Sequence, residues 1–401
     1  MVNLSVFPPT RRAFQDRIEA VEIHPYETTR NWINGKVTRM SPYITHGFTN
    51  MPSIMSTLRI KKGLNPQHKL FAELAWREYF AHVWSHLEDG IFDDIRPAIT
   101  DIVYDPHIPE DVLEARTGIA AIDRSIQELY LYGYVHNHAR MWLASYLIHF
   151  RKVAWQTGAN WMYGHLLDGD LASNHLSWQW VGATFSQKPY LFNAENIKKY
   201  APKEWHCDGS MLDQTYDELE KVARSQSILA PNPLPGLLQE TPPELFSEPP
   251  RSLLTELGIT AVPRLSHPTA SSITLTHPWD LESESQVAQR VGLVYLPFHR
   301  QYPWSLQRWR FVLTRMHELC DEIWIGDDQT GLCKQLAKLS KPIRVQATLN
   351  PLYQALLMDI LDHTAMDIQE VPRFFQNPDV LCPSFSKFWQ QVASKGSFPL
   401  P

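Results

Sequence analysis

The sequence predicts an α + α/β protein: an all-helical domain over residues 10–205, a Pro-rich linker over 206–270, and a small parallel α/β domain over 271–401. Three observations carry this. Apolar residues recur at three- and four-residue spacing through the first half. Nine prolines fall between Pro231 and Pro268. Beyond them, short β-branched runs alternate with helical stretches.

The helical segments of the first half are RRAFQDRIEAV, MPSIMSTLRI, HKLFAELAWREYFAHVWSHL, GIAAIDRSIQELYLYG, HNHARMWLASYLIHFRKVAW and GANWMYGHLLDGDLASNHLSWQWVG. Each has an apolar stripe able to bury one face, and short Gly- or Pro-containing breaks separate them. No strand pattern interrupts them. Residues 206–270 differ: PNPLPG and ETPPELFSEPPR set proline among Ser, Glu and Leu, which reads as an extended linker or strap. From 271, SSITLTHPW, VGLVYLPF, DEIWIGD and PIRVQATL read as strands, with SLQRWRFVLTRMHELC and TGLCKQLAKLS as helices between them. Neither GxGxxG nor GxxxxGKS occurs there, so nucleotide binding by that half has no support.

Composition narrows the class. With 401 residues, 44% hydrophobic and 20% charged, the chain can bury two cores and is not disordered. No apolar run is long enough to cross a bilayer, and the start MVNLSVFPPTRR lacks the apolar core of a secretion signal. A cytoplasmic monomer is expected. Cys207, Cys320, Cys333 and Cys382 are scattered without a CxxC pair, which argues against a disulfide framework, structural zinc or an iron–sulfur cluster. His82 and His86 stand four apart on one helix with no third ligand in view, so no metal is expected. The net charge of −6 gives no global reason for a nucleic-acid partner. Its distribution is uneven: 21 Lys+Arg against 21 Asp+Glu in 1–205, but 16 against 22 in 206–401. A basic groove is therefore compatible with the first half.

The residues that suggest chemistry lie in four segments. In DGDLASNHLSWQW, residues 168–180, helical spacing puts Asp170, Asn174 and Trp178 on one stripe while Trp178 and Trp180 diverge. A buried helix face seldom carries two Asp and an Asn, because unpaired polar groups are costly there. A bound polar cofactor would satisfy them; a capped, partly exposed helix is the other reading. HNHARMWLASYL places Asn137 and Met141 on one face and His136 and Arg140 on another, with Arg140 a partner for a buried Asp. FAELAWREYF sets Glu73 beside Trp76 and Arg77. VTRMSPYITHG offers hydroxyls and Arg39 beside a Ser-Pro helix start, where free N–H groups favour a phosphate.

TRMSPYITHG, ELAWREYF, HNHARMWLASYL and DGDLASNHLSWQW occur in the order found in the FAD-binding domain of DNA photolyases and cryptochromes, which the sequence resembles over roughly residues 10–205. The resemblance, not periodicity or composition, implies FAD. It implies that Tyr26, Arg30, Thr38, Arg39 and Ser41 hold the ribityl and phosphate part of the cofactor. Arg140 and Asp168 would pair against the isoalloxazine, Asp170 would meet its polar edge, and Asn174 would sit at N5. A neutral amide there suits a fully reduced anionic flavin. Arg77 and Asn137 belong to the same cofactor-binding set.

The resemblance also implies light-driven donation of one electron to a flipped-out cyclobutane pyrimidine dimer. Trp76 and Trp180 would be its aromatic walls, with Glu73, Asn137 and Met141 as contacts. Six-four photolyases carry histidines at the last two places, so the pattern matches the cyclobutane class. Trp178 and Trp155 match the inner members of the family's photoreduction chain; the outer member has no clear counterpart, Tyr104 being one candidate. The expected catalytic set is Glu73, Trp155, Asn174 and Trp178, the expected activity that of a deoxyribodipyrimidine photolyase-like lyase, and the expected partner UV-damaged DNA. The alternative is a cryptochrome-like blue-light photoreceptor with the α/β domain as output.

Departures from the family are visible. Its members normally begin with an α/β antenna domain, whereas here an α/β segment follows, and GLVYLPFHRQYPWSLQRWRFVLTRMHEL only faintly resembles an antenna domain. No antenna chromophore can be assigned. The segment after Trp180 is shortened to GATFSQKPYLFNAENIKKYAPKEW. Tyr134 and His138 replace a usual Trp and Arg, and Leu70 stands where a Trp can meet substrate.

Overall fold

The computed structural model describes residues 4–98, 101–229, 241–260, 271–282, 289–338 and 340–394. The PNPLPG run of the expected linker lies outside them. Two compact units form: a sheet unit of Met1–Val21, Thr38–Glu88 and Leu245–Pro401, and a helical unit of Glu22–Val37 and Asp89–Glu244. Each draws on separated stretches of sequence, so the units do not follow the divisions at 205 and 271.

The helical unit contains the helices Ala120–Tyr132, Asn137–Ser145, Trp155–His165 and Leu171–Gly182, around a core that includes Trp142, Leu143, Leu147 and Trp178. The segment from His136 to Trp155, expected as one helix, is broken. Its α-helix ends at Ser145, widens into a π turn over Tyr146–Phe150, and stops. The stop is fixed by two buried cations. The Arg151 guanidinium grips Asp111 through two hydrogen bonds of 2.6 and 2.8 Å. Lys152 adopts a positive φ of 55°, and its ammonium donates to the carbonyls of His149, Val222 and Ala223. The last two carbonyls end a helix, Tyr216–Ala223, inside the segment expected to be extended. A reciprocal Thr215–Glu218 cap starts that helix, and Leu219 is fully buried. A second short helix, Arg251–Leu257, also falls within 206–270.

Among the described residues the sheet unit holds seven strands: β1 Leu245–Phe246, β2 Ile273–Thr276, β3 Gln289–Tyr295, β4 Trp304–Ser305, β5 Glu322–Gly326, β6 Ile343–Gln346 and β7 Met366–Gln369. β1, β4 and β7 are not anticipated from sequence: the first two are only two residues long, and MDIQ alternates with polar residues. Five strands form a parallel sheet in the order β5-β3-β2-β6-β7, with the earliest of the five central and helices linking β3 to β5, β5 to β6 and β6 to β7. β1 and β4 pair antiparallel beside it, and the Trp309 indole donates to Phe246 O at 3.1 Å.

The SPYITHG segment packs within this sheet unit. Tyr43 and Phe48 both meet Phe311 edge-on or tilted, at 5.7 and 5.4 Å between ring centres. Gly47 has φ +61°, and a Cβ there would fall 2.3 Å from Trp279 O. Only glycine fits both requirements.

Candidate functional site

In the helical unit most of the candidate residues lie on or just ahead of two contacting helices, Asn137–Ser145 and Leu171–Gly182. Arg140 lies in the first turn of Asn137–Ser145, where its Nε donates to Val135 O at 2.8 Å. Its Nη2 donates to both carboxylate oxygens of Asp168, at 3.0 and 2.8 Å. The Asp168 side chain is 5% exposed and that of Arg140 22%, so the pair faces little water. Tyr134 backs the guanidinium, its ring centre 5.4 Å from Arg140 Cζ. The expected Arg140–Asp168 pairing is thus present.

The Asp170–Asn174–Trp178 stripe lies along the helix Leu171–Gly182. Asp170 is its N-cap: Oδ1 accepts from the Ser173 backbone N–H and hydroxyl at 2.8 and 2.7 Å. One oxygen of the expected flavin-edge contact is therefore committed to starting the helix. The Asn174 amide donates to Ala159 O at 2.8 Å, which fixes the side chain's orientation and directs Oδ1 elsewhere. Trp178 is buried against Gly158. Trp180, on the other side, is 39% exposed beside Tyr190. Asn137 is exposed and its amide lies 3.9 Å from Met141 Sδ. Tyr26 is buried, and Arg30 donates to Asn31 at 2.8 Å.

Trp155 opens the helix Trp155–His165, and its indole N–H donates to Asp94 Oδ1 at 2.7 Å. Trp155, Asp94, Tyr104 and His149 line one cleft of about 110 Å³. Burial pushes the Tyr104 hydroxyl pKa up, and the Asp94 carboxylate adds to the shift. Asp94 was not among the sequence candidates; IFDDIRP shows nothing that would single it out.

Thr38, Arg39, Ser41, Glu73, Trp76 and Arg77 lie in the sheet unit. Arg39 is exposed with φ 50°, and Ser41 begins a helix of five residues. Arg77 donates to Thr45 Oγ1 at 3.0 Å, and Glu73 is exposed. Trp76 is not an open wall. Phe385, from the helix Phe385–Ser394, stacks on its ring at 4.1 Å and 9°. The same C-terminal segment is pinned along the helix Lys69–Leu87. Glu78 accepts the backbone N–H groups of Phe374 and Phe375 at 2.6 and 2.8 Å. His82 bonds Asn377 Oδ1 and the Cys382 backbone N–H through its two ring nitrogens. Both nitrogens are thereby occupied, which accounts for His82 as packing.

A bound flavin is polar along one edge, and the donor set fits it. Arg140 on one helix grips Asp168 just ahead of the next, and that second helix carries an oriented neutral amide at Asn174, polar groups that are costly for packing alone.

Comparison with known proteins agrees. Residues 70–241 match the family model described as the FAD-binding domain of DNA photolyase. The deoxyribodipyrimidine photo-lyase of Streptomyces griseus is 32% identical over 160 residues, 40% of this chain and 35% of that protein. That of Escherichia coli is 31% identical over 153 residues, 37% of this chain and 32% of that one. The cryptochrome DASH of Oryza sativa is 28% identical over 213 residues, 51% and 36% respectively. The chain thus spans about a third of the length of these relatives. A solved cryptochrome from Synechocystis aligns at 22% identity and a TM-score of 0.45, covering 50% of this chain and 46% of that one. With its own Arg140–Asp168 pair and Asn174 inside the matched residues, the chain is a distant member of the photolyase/cryptochrome family, carrying that family's FAD-binding domain.

Proposed function

We propose that the chain binds FAD and uses it for light-driven repair of cyclobutane pyrimidine dimers in DNA. The observation that carries the flavin is the match of residues 70–241 to the FAD-binding domain of DNA photolyase, which includes the shielded Arg140–Asp168 pair and the oriented Asn174 amide. The names of the photo-lyase relatives support the repair chemistry. Bound FAD would supply a photoexcitable one-electron donor.

The chain's own residues then have separable tasks. Arg140 and Asp168 hold the ring system, and Asp170 contributes at its polar edge. Asn174 presents an amide with no acidic proton, so it does not readily protonate the atom it faces. Within the helical unit, Tyr26, Arg30 and Asn137 add cofactor contacts, and Asn137, Met141 and Trp180 are substrate contacts. The sheet unit carries Thr38, Arg39, Ser41 and Arg77 as its own cofactor-contact candidates and Glu73 and Trp76 as its substrate-contact candidates. Trp178 and Trp155 pass electrons inward. When Trp155 gives up an electron its indole N–H becomes strongly acidic, and Asp94, 2.7 Å away, takes the proton. Tyr104, on the wall of the same cleft, is the outer donor.

The deciding experiment is anaerobic: reduce the protein, add UV-damaged oligonucleotide, illuminate, and count the dimers left. Loss of dimers beyond the dark control is expected; equal counts sink the repair reading. A second reading, a blue-light photoreceptor without repair, is favoured by one observation. Phe385 already covers the ring of Trp76 that a substrate base would need. Photoreduction that leaves dimers intact but loosens the C-terminal segment would select it.

A further inference from the structure

The sheet unit carries a donor set that flavin chemistry does not use. Cys333 lies in the helix Gln329–Lys338, and Asp359 and His363 lie one turn apart in the helix Pro351–His363. One ligand atom from each falls within 4.8 Å of the other two. The sulfur is buried, the carboxylate half-buried and the imidazole exposed, so the group runs from the interior to solvent.

The surroundings orient these groups. Cys333 Sγ lies 3.1 Å from Asp359 Oδ2. The same carboxylate is hydrogen-bonded by the Gln329 side chain, whose Oε1 accepts from the Tyr295 hydroxyl at 3.1 Å. His363 Nδ1 is 2.8 Å from Asp359 O. As a donor to that carbonyl, Nδ1 carries the ring proton and Nε2 keeps its lone pair. Carboxylates and imidazoles held in this way by outer partners are the usual neighbours of a coordinated ion.

We propose that Cys333, Asp359 and His363 form a binding site for a divalent transition metal, with Zn²⁺ as the best chemical fit. A mixed sulfur, nitrogen and oxygen set suits that ion, and hard Mg²⁺ or Ca²⁺ would not choose the thiolate. Tetrahedral ligands bound at roughly 2.0–2.3 Å stand about 3.3–3.8 Å from one another, so a contraction of at most roughly 1.5 Å from the 4.8 Å limit closes the set. Three protein ligands leave a fourth position for water. Binding displaces the thiol proton to solvent and ties the two helices together. The 26-residue separation of Cys333 from Asp359 explains why a search for close cysteine pairs passes over the set.

The test uses the full chain and the metal alone. The protein is equilibrated with Zn²⁺ or Co²⁺, dialysed, and its metal counted; Co²⁺ is also read by its ligand-field bands, at wavelengths where flavin does not absorb. One metal per chain is expected, with the intense bands of a tetrahedral thiolate site. Cys333→Ser should abolish the bands, and Gln329→Ala should weaken Zn²⁺ binding roughly 10- to 100-fold. Cys320→Ser should change neither. If Cys333→Ser fails to fold, the exposed ligand variant His363→Gln must still lower affinity at least tenfold. Metal lost on dialysis, an octahedral Co²⁺ spectrum, or affinity unchanged in His363→Gln would overturn the assignment. Flavin content enters none of these readouts.

Discussion

The six-membered ring of Trp178 lies so close to Gly158 that a Cβ there would fall 2.3 Å from Cζ3 and 2.4 Å from Cη2. Both residues are in helices, so alanine at 158 would ordinarily stabilise by up to about 1 kcal/mol. Here it overpacks a buried indole, at a cost of about 1–3 kcal/mol, and the balance is a loss. Gly158→Ala should lower the denaturation midpoint. In a Trp178→Phe background, which lacks the clashing atoms, the same change should cost much less. Equal cost in both backgrounds would mean the indole is not what excludes the methyl group.

Arg140→Ala would leave Asp168 charged, 5% exposed and without its bidentate partner. Such truncations cost about 3–5 kcal/mol, and the partial exposure of Arg140 puts this one near the lower end. The variant should also purify with less flavin. Arg140→Ala and Asp168→Ala together should be less destabilised than Arg140→Ala alone, measured by urea denaturation. Retention of full flavin by the single variant would remove this pair from the cofactor contacts.

Much of this was legible from sequence because it is local. The Asp170–Asn174–Trp178 stripe follows from helical spacing, and four of the five strands of the parallel sheet from their β-branched runs. The cost of burying a charge alone says that Arg140 needs a carboxylate; the family resemblance is what implies Asp168. What escaped reading is long-range. Lys152 ends one helix by reaching carbonyls 70 and 71 residues away. Phe385 covers Trp76 across more than three hundred positions, and no local pattern announces either contact. The mixed origin of the two units has the same cause: SPYITHG packs on Phe311, and its own periodicity is silent about that partner.

Burial raises the Glu78 pKa from its ordinary 4.5 to about 6, outweighing the two backbone N–H groups that favour the anion. The folded state therefore holds this proton more tightly than the unfolded chain. Its contribution to stability is fully present below pH 4.5 and is lost as pH rises through about 6. The shift corresponds to about 2 kcal/mol. Glu78→Gln cannot titrate, so the stability of the native protein minus that of the variant should fall by about this amount between pH 4.5 and roughly pH 7. A difference independent of pH would show that folding does not raise the Glu78 pKa.

Asp94→Asn keeps an oxygen facing the Trp155 indole but removes the base. If Asp94 accepts the proton of oxidised Trp155, photoreduction of oxidised flavin should slow while flavin content stays unchanged. The native protein should show a solvent deuterium isotope effect that Asp94→Asn lacks. Tyr104→Phe tests the outer position separately: it should slow the reaction without altering the Trp155 hydrogen bond. Unaffected rates in both variants would route the electron elsewhere.

Phe385 and Trp76 stack at 4.1 Å with their rings 9° from parallel. A base cannot occupy the same face, so substrate binding on Trp76 must first displace this contact. An aromatic pair is worth about 0.5–1.5 kcal/mol beyond the area it buries. Phe385→Ala removes that competition while leaving the Glu78 and His82 anchors of the C-terminal segment in place. Under the repair reading, the variant should bind UV-damaged DNA up to about tenfold more tightly than the native protein. Its affinity for undamaged DNA should not change. Trp76→Ala, which removes the surface itself, should weaken damaged-DNA binding and cancel the gain in the double variant. If Phe385→Ala leaves damaged-DNA binding unchanged, Trp76 is a packing residue for the C-terminal helix and the dimer pocket inferred from sequence lacks one wall.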